Sequence, residues 1–94
     1  MIVRIVLMNF HEDKIEAVKE FLDEVRVKII KVPGCEHLDI LQDVARENIF
    51  FSYSHWQSEQ DLENYRNSDF FKKTWARAKE WFVDKPRAWS LNRR

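Results

Sequence analysis

His55 is the side chain in this sequence best placed to move a proton, because imidazole titrates close to neutral pH. It stands near the end of the run NIFFSYSHW, residues 48–56. Strand alternation puts it on one face with Ile49, Phe51 and Tyr53, opposite Phe50, Ser52, Ser54 and Trp56. Tyr53 could therefore donate to an oxyanion beside His55, or serve as an interface aromatic. A hydrogen-bonded histidine at a strand end is the alternative for His55. Arg4 interrupts an apolar run, where a charge must be paired or reach solvent. Asp39 or Glu36 could pair it, or it could bind an anionic oxygen. Asn9 ends the same run and could donate to a carbonyl, or simply shape a turn. Cys35 and His37 lie two apart, so on a regular strand both would reach one metal ion. Zinc needs three or four ligands, so His11 and His55 would have to converge there too, and no metal is expected. The chain has one glycine, which leaves no phosphate-cradling loop and no expectation of a nucleotide cofactor.

The elements that must position these groups are legible in the periodicity. Residues 2–9 (IVRIVLMN) are rich in β-branched residues and apolar on both faces, as in a covered central strand. Ile15, Val18, Leu22, Val25, Ile29 and Val32 form one helical stripe between about Asp13 and Val32, closed by Pro33-Gly34. Residues 35–43 predict a second strand, with Leu38 and Ile40 on one face and His37, Asp39 and Leu41 on the other. Val44 to Glu47 must turn the chain without strong turn residues. Residues 48–56 are the third strand. Ser58, with Asp61 at the capping-box position, starts a helix with Leu62 and Tyr65 inward. Asn67-Ser68-Asp69 breaks it, and Ser68 or Asp69 caps a second piece in which Phe71, Trp75, Ala78 and Phe82 share a face. Tyr65 and Trp75 are each core or pocket wall on this pattern. Pro86 precedes a last strand, 87–93, with Trp89 and Leu91 on one side.

The order βαββαβ is the ferredoxin-like α+β pattern. Right-handed crossovers put the helices on one face of a four-stranded antiparallel sheet. The second face keeps its apolar residues, and a second copy of the chain is the simplest cover, giving a barrel-like homodimer. The alternation leaves open which face of 48–56 meets the helices.

The 94 residues suit one domain spanning 1–94. So short a chain buries roughly 60–70% of its unfolded surface, which leaves modest reserve and favours a dimer. Sixteen basic residues balance sixteen acidic ones, so a nucleic-acid partner is not expected. A lone cysteine and no membrane-length apolar run point to a cytoplasmic protein with no membrane partner. Aromatics reach 14%, with four tryptophans, a composition that suits cores, pockets and interfaces.

From Ser54 the chain reads SHWQSEQDLENYRNSDFFKKTW. The strand ending in Trp56, then Ser58-Glu59, a helix, and Ser68 followed by Phe70-Phe71 resembles the antibiotic biosynthesis monooxygenase family. Pro33-Gly34 before a strand and the short apolar first strand fit as well. The resemblance spans about residues 2–92. It implies a dimeric ferredoxin-like barrel and, for some members, oxygen insertion into aromatic polyketides without metal or flavin; others degrade haem or oxidise quinols. The haem-degrading positions fall near Arg4 and on Tyr65 and Trp75, where all three residue types are replaced. In cofactor-free relatives an Asn, Trp, Tyr and Arg line a pocket between sheet and helices, and Trp56, Tyr65, Arg66 and Trp75 are suitable types in those regions. The expected activity is cofactor-free monooxygenation of an aromatic, polyketide-like or quinol molecule. His55, Tyr65 and Trp75 are its candidate catalytic residues. Asn9, Arg4, Phe51, Tyr53, Trp56 and Arg66 are its candidate substrate contacts. The other expectation is a non-enzymatic binding or structural module, whose aromatics would interpenetrate and leave no cavity.

Overall fold

A computed structural model describes residues 1–94. Strand β1 (Ile2–Asn9) leads through a single 3-10 turn into helix α1 (Ile15–Ile29). Strands β2 (Cys35–Gln42) and β3 (Ile49–Trp56) follow, then helices α2 (Glu59–Arg66) and α3 (Asp69–Lys79), and strand β4 (Arg87–Asn92). The four strands form one antiparallel sheet in the order β2-β3-β1-β4. This is the expected ferredoxin-like α+β fold, with its second helix in two pieces. The sheet is open, with β2 and β4 at its edges.

Local chemistry sets the helix boundaries. The Ser58 hydroxyl accepts from the Asp61 N–H at the start of α2, and Ser68 accepts from the Phe71 N–H at the start of α3. Each satisfies a backbone donor with no partner inside its helix. The turn after β2 had no obvious organiser in residues 44–47. Asp43, just before them, supplies it: its Oδ1 accepts from the N–H groups of Ala45 and Arg46, both at 2.8 Å. These bonds hold its carboxyl below the usual range.

The register assigns the faces. Ile2, Arg4, Val6 and Met8 pair with Trp56, Ser54, Ser52 and Phe50 on β3. These residues share the helix-facing side with Leu38 and Ile40. There Met8, Phe10, Val18, Phe21, Leu22, Val25, Phe50 and Ala78 form the main core, and Ile2, Trp56 and Leu62 a smaller one. Val3, Ile5, Leu7, Phe51, Tyr53, His55, Trp89 and Leu91 lie on the other side, which no helix of the chain covers. Leu41 and Leu91 there are 49% and 44% exposed.

One strand departs from simple alternation. The β2–β3 register shifts between Cys35, opposite Trp56, and His37, opposite His55. Glu36 is the extra residue of a β-bulge. Cys35 and His37 are therefore on opposite faces, which corrects the expectation that they share one. No three His, Cys, Asp or Glu side chains converge where a metal ion could sit.

The only glycine has a positive φ of 89° and closes the α1–β2 turn. An added Cβ would meet the Asp61 side chain at 2.4 Å. Gly34→Ala is thus expected to cost at least about 1–3 kcal/mol from backbone strain and the clash with the α2 cap. Equilibrium urea denaturation followed by circular dichroism reads this directly, and an unchanged midpoint would contradict it.

Candidate functional site

A cavity of about 300 Å³ lies between the helix-facing side of the sheet and the helices. Its floor follows from β3. Phe50 and Trp56 are large and buried, but Ser52 and Ser54 between them are small. Ala78 on α3 and Ala88 on β4 are small on the other walls. Close-packed interiors leave space only where side chains are too short to meet. The two serines between Phe50 and Trp56 were thus the available sequence signal for a cavity, one that carries no reactive group of its own.

Aromatic rings line one wall in sequence. Tyr65 stacks on Trp56 with centroids 5.0 Å apart, and meets Phe71 edge-on at 5.1 Å. Phe71 stacks on Trp75 at 5.7 Å, and behind the lining Trp75 meets Phe82 edge-on at 5.5 Å. The Trp56 indole N–H donates to Ser54 Oγ at 3.0 Å, which fixes the ring and occupies the hydroxyl.

The lining also holds Arg4, Arg66, Tyr65 and Thr74, and no acidic residue. Arg66 and Ala88 are exposed, so the opening lies beside them. Arg4 Nη1 donates to Ser90 Oγ at 2.9 Å. Neither Asp39 nor Glu36 pairs with Arg4, contrary to the ion-pair expectation: Asp39 bonds His37 at 2.8 Å on the opposite face, and Glu36 is the exposed bulge residue. Burial, and then the Arg66 charge, push the Arg4 pKa down, with Glu63 opposing.

Burial pushes the Tyr65 pKa up to about 12, with the Cys35 group adding to the effect. No protein group hydrogen-bonds its hydroxyl. At neutral pH Tyr65 is a hydrogen-bond donor and not a base. The folded chain holds this proton to about 12, whereas the ordinary value is 10.0. The resulting stability is full below pH ~10 and is lost as pH rises toward ~12, by about 2–3 kcal/mol at most. Absorbance titration at 295 nm is expected to show one phenol ionising near pH 12, missing in Tyr65→Phe.

The candidate residues divide between the two sides of the sheet. Arg4, Trp56, Tyr65, Arg66 and Trp75 line the cavity together. Phe51, Tyr53 and His55 occupy the outer face of β3, where the His55 ring nitrogen and the Tyr53 hydroxyl share a hydrogen bond of 3.0 Å. His37 lies 5.1 Å from His55, ring to ring, on the neighbouring strand. Asn9 is at the end of β1, away from the cavity. Its Nδ2 donates to Asp84, and its Oδ1 accepts from Asn48. These bonds tie the ends of β1 and β3 to the segment before β4.

The family model described as antibiotic biosynthesis monooxygenase matches residues 1–77, which reach from β1 through most of α3. A Nitrosomonas europaea protein described as a candidate antibiotic biosynthesis monooxygenase is 25% identical; the match covers 98% of this chain and 97% of that one, with a TM-score of 0.88. A crystal structure of an antibiotic biosynthesis monooxygenase superposes with a TM-score of 0.93 at 15% identity, covering 99% and 98% of the two chains. A conserved Methanosarcina mazei protein gives 0.91 at 17% identity, over 100% of this chain and 94% of that one. The last two show the shared fold. No curated protein matches the sequence significantly.

Proposed function

Because the chain belongs to the antibiotic biosynthesis monooxygenase family, we propose that it oxygenates an aromatic, polyketide-like or quinol small molecule in the cavity between sheet and helices, without metal or flavin. The carrying observation is the cavity itself: about 300 Å³, walled by Trp56, Tyr65, Phe71 and Trp75. Small-molecule sites run from roughly 300 to 1,000 Å³ and combine apolar walls with a few polar groups. A structural module with interpenetrating aromatics would have no such space.

The chemistry asks for a substrate that is its own electron donor. An anthrone or hydroquinone loses a proton to give a delocalised anion. The Tyr65 hydroxyl donates a hydrogen bond to the anionic oxygen, and the two arginines favour the charge. His55 is across the sheet, so the proton leaves to water at the cavity opening. The anion transfers an electron to O₂, the two radicals combine as a peroxide, and the peroxide takes up the proton. Loss of water then leaves a carbonyl: an anthrone CH₂ and O₂ become C=O and H₂O, and a hydroquinone ring C–H and O₂ give a hydroxyquinone and H₂O. Apolar walls exclude bulk water and strengthen the polar contacts. Trp75 acts here as a ring-stacking wall that positions the substrate.

The outer face of the sheet supports a homodimer. Val3, Ile5, Leu7, Phe51, Tyr53, Trp89 and Leu91 present an apolar surface with no cover from their own chain, and a second copy would bury it. Phe51, Tyr53 and His55 then serve the interface. One observation favours ligand binding without catalysis: no cavity-lining side chain is a base at neutral pH.

Oxygen consumption by the purified protein over a panel of anthrones and hydroquinones tests the reading. Uptake above the protein-free rate, reduced in Tyr65→Phe and retained in His55→Ala, is expected. Binding of the same compounds with no uptake would leave the binding module.

A further inference from the structure

The charge distribution of the cavity narrows the class of ligand. Among its 21 lining residues are two arginines and no aspartate or glutamate, although the whole chain has no formal net charge. Arg66 leans on Glu63 at 3.4 Å, on the exposed surface of α2. Arg4 is half-buried within a strand, and none of the chain's ion pairs includes it. Its one side-chain hydrogen bond goes to the neutral Ser90 hydroxyl. A guanidinium has five N–H donors and does not lose its charge in proteins. Arg4 thus has donors to spare and no ion-pair partner in contact, the nearby Glu63 being engaged by Arg66, beside a space walled mostly by aromatic and aliphatic groups.

The geometry points to a ligand with a permanent carboxylate on a flat apolar body, the carboxylate paired with Arg4 inside the opening and Arg66 at the rim. A carboxylate is planar and matches the two-pronged face of a guanidinium. The remaining lining suits rings. Val6, Met8, Leu22 and Ile40 form the aliphatic side, and Tyr65 and Trp75 the aromatic side. The same charge arrangement disfavours cations, which would meet two like charges and no acidic side chain in the lining. This inference rests on the cavity being the ligand site, but not on oxygen chemistry there.

The experiment is a titration of the purified protein at pH 7 with 2-naphthoate and, in parallel, with methyl 2-naphthoate, by calorimetry. The acid is expected to bind at least about tenfold more tightly than the ester, a difference of about 1.4 kcal/mol. The preference should shrink as salt rises. Arg4→Gln should bring the acid to the level of the ester, and Arg4→Lys should restore part of the preference. Equal affinities in the unaltered protein would overturn the carboxylate while leaving the cavity as an aromatic site. Binding of neither compound would overturn both. If Arg4→Gln does not fold, the acid-to-ester ratio of the unaltered protein and of Arg66→Gln still decides the matter.

Discussion

Trp56→Ala is expected to lower stability by about 3–5 kcal/mol, the range for removing a fully buried large aromatic. Trp56 is 1% exposed and closes the smaller core with Ile2 and Leu62. Three losses coincide in the variant. The apolar contacts disappear and leave a hole next to an existing cavity, so nothing solid can collapse into it. The face that holds Tyr65 in a stack at 5.0 Å is gone. Ser54 Oγ, itself buried, loses the indole N–H that it accepts. Many domains of this size have only about 5–15 kcal/mol in all, so the variant should approach the edge of folding. Urea denaturation by circular dichroism measures this, and a loss below about 1 kcal/mol would contradict the core role. Trp75→Ala should cost less, because Trp75 is half-buried and one side of it faces open space. Its effect should appear in ligand affinity.

Phe51→Arg is expected to convert the proposed dimer to monomers and leave the cavity able to bind. Phe51 lies on the outer face of the central strand β3, opposite Leu7 on one side and Leu41 on the other. In a two-fold assembly each copy contributes the same patch. One substitution therefore places two like charges in a largely apolar interface, where the acid on the same face, Asp39, is already engaged by His37. An unpaired charge buried this way costs about 3–5 kcal/mol, which raises the dimer dissociation constant by roughly a factor of 100 to 1,000 or more. Sedimentation velocity across a concentration series reads the change. An unaltered protein that stays monomeric at high micromolar concentration would refute the dimer. A variant that stays dimeric would move the interface elsewhere. Loss of ligand binding without a change in mass would return Phe51 to the site.

These two residues also show how the sequence carries the fold. Every strand and helix could be read from the sequence, because β-branched and aromatic runs marked the strands, a period-3.6 stripe marked the long helix, and Ser58 and Ser68 stood where caps are needed. The faces of β3 were harder. Both sets, Phe50 with Trp56 and Phe51 with Tyr53, are aromatic, so alternation alone could not say which set meets the helices. The register with Ile2, Arg4, Val6 and Met8 decides it. The cavity was legible only indirectly. Types suited to chemistry drew attention to His55, whereas the space itself is made by the absence of bulk at Ser52 and Ser54. Tyr65 and Trp75 were recognisable as inward-facing, but whether an inward ring meets protein or open space depends on residues from other elements. The Cys35–His37 relation was misread because a bulge has no reliable sequence signature. One extra residue, Glu36, reverses the parity of everything before it.

That reversal determines the character of the only thiol. The bulge turns Cys35 inward, against the Trp56 cluster and away from the imidazoles of His37 and His55. On a regular strand it would sit next to His37, an arrangement that makes thiolates and invites oxidation. Turned inward, it meets apolar surroundings that push its pKa up, only partly offset by a weak bond to the His37 carbonyl. A thiol that keeps its proton reacts slowly with peroxides. One inserted residue in an edge strand thus sets the thiol among apolar groups and apart from the imidazoles that would activate it.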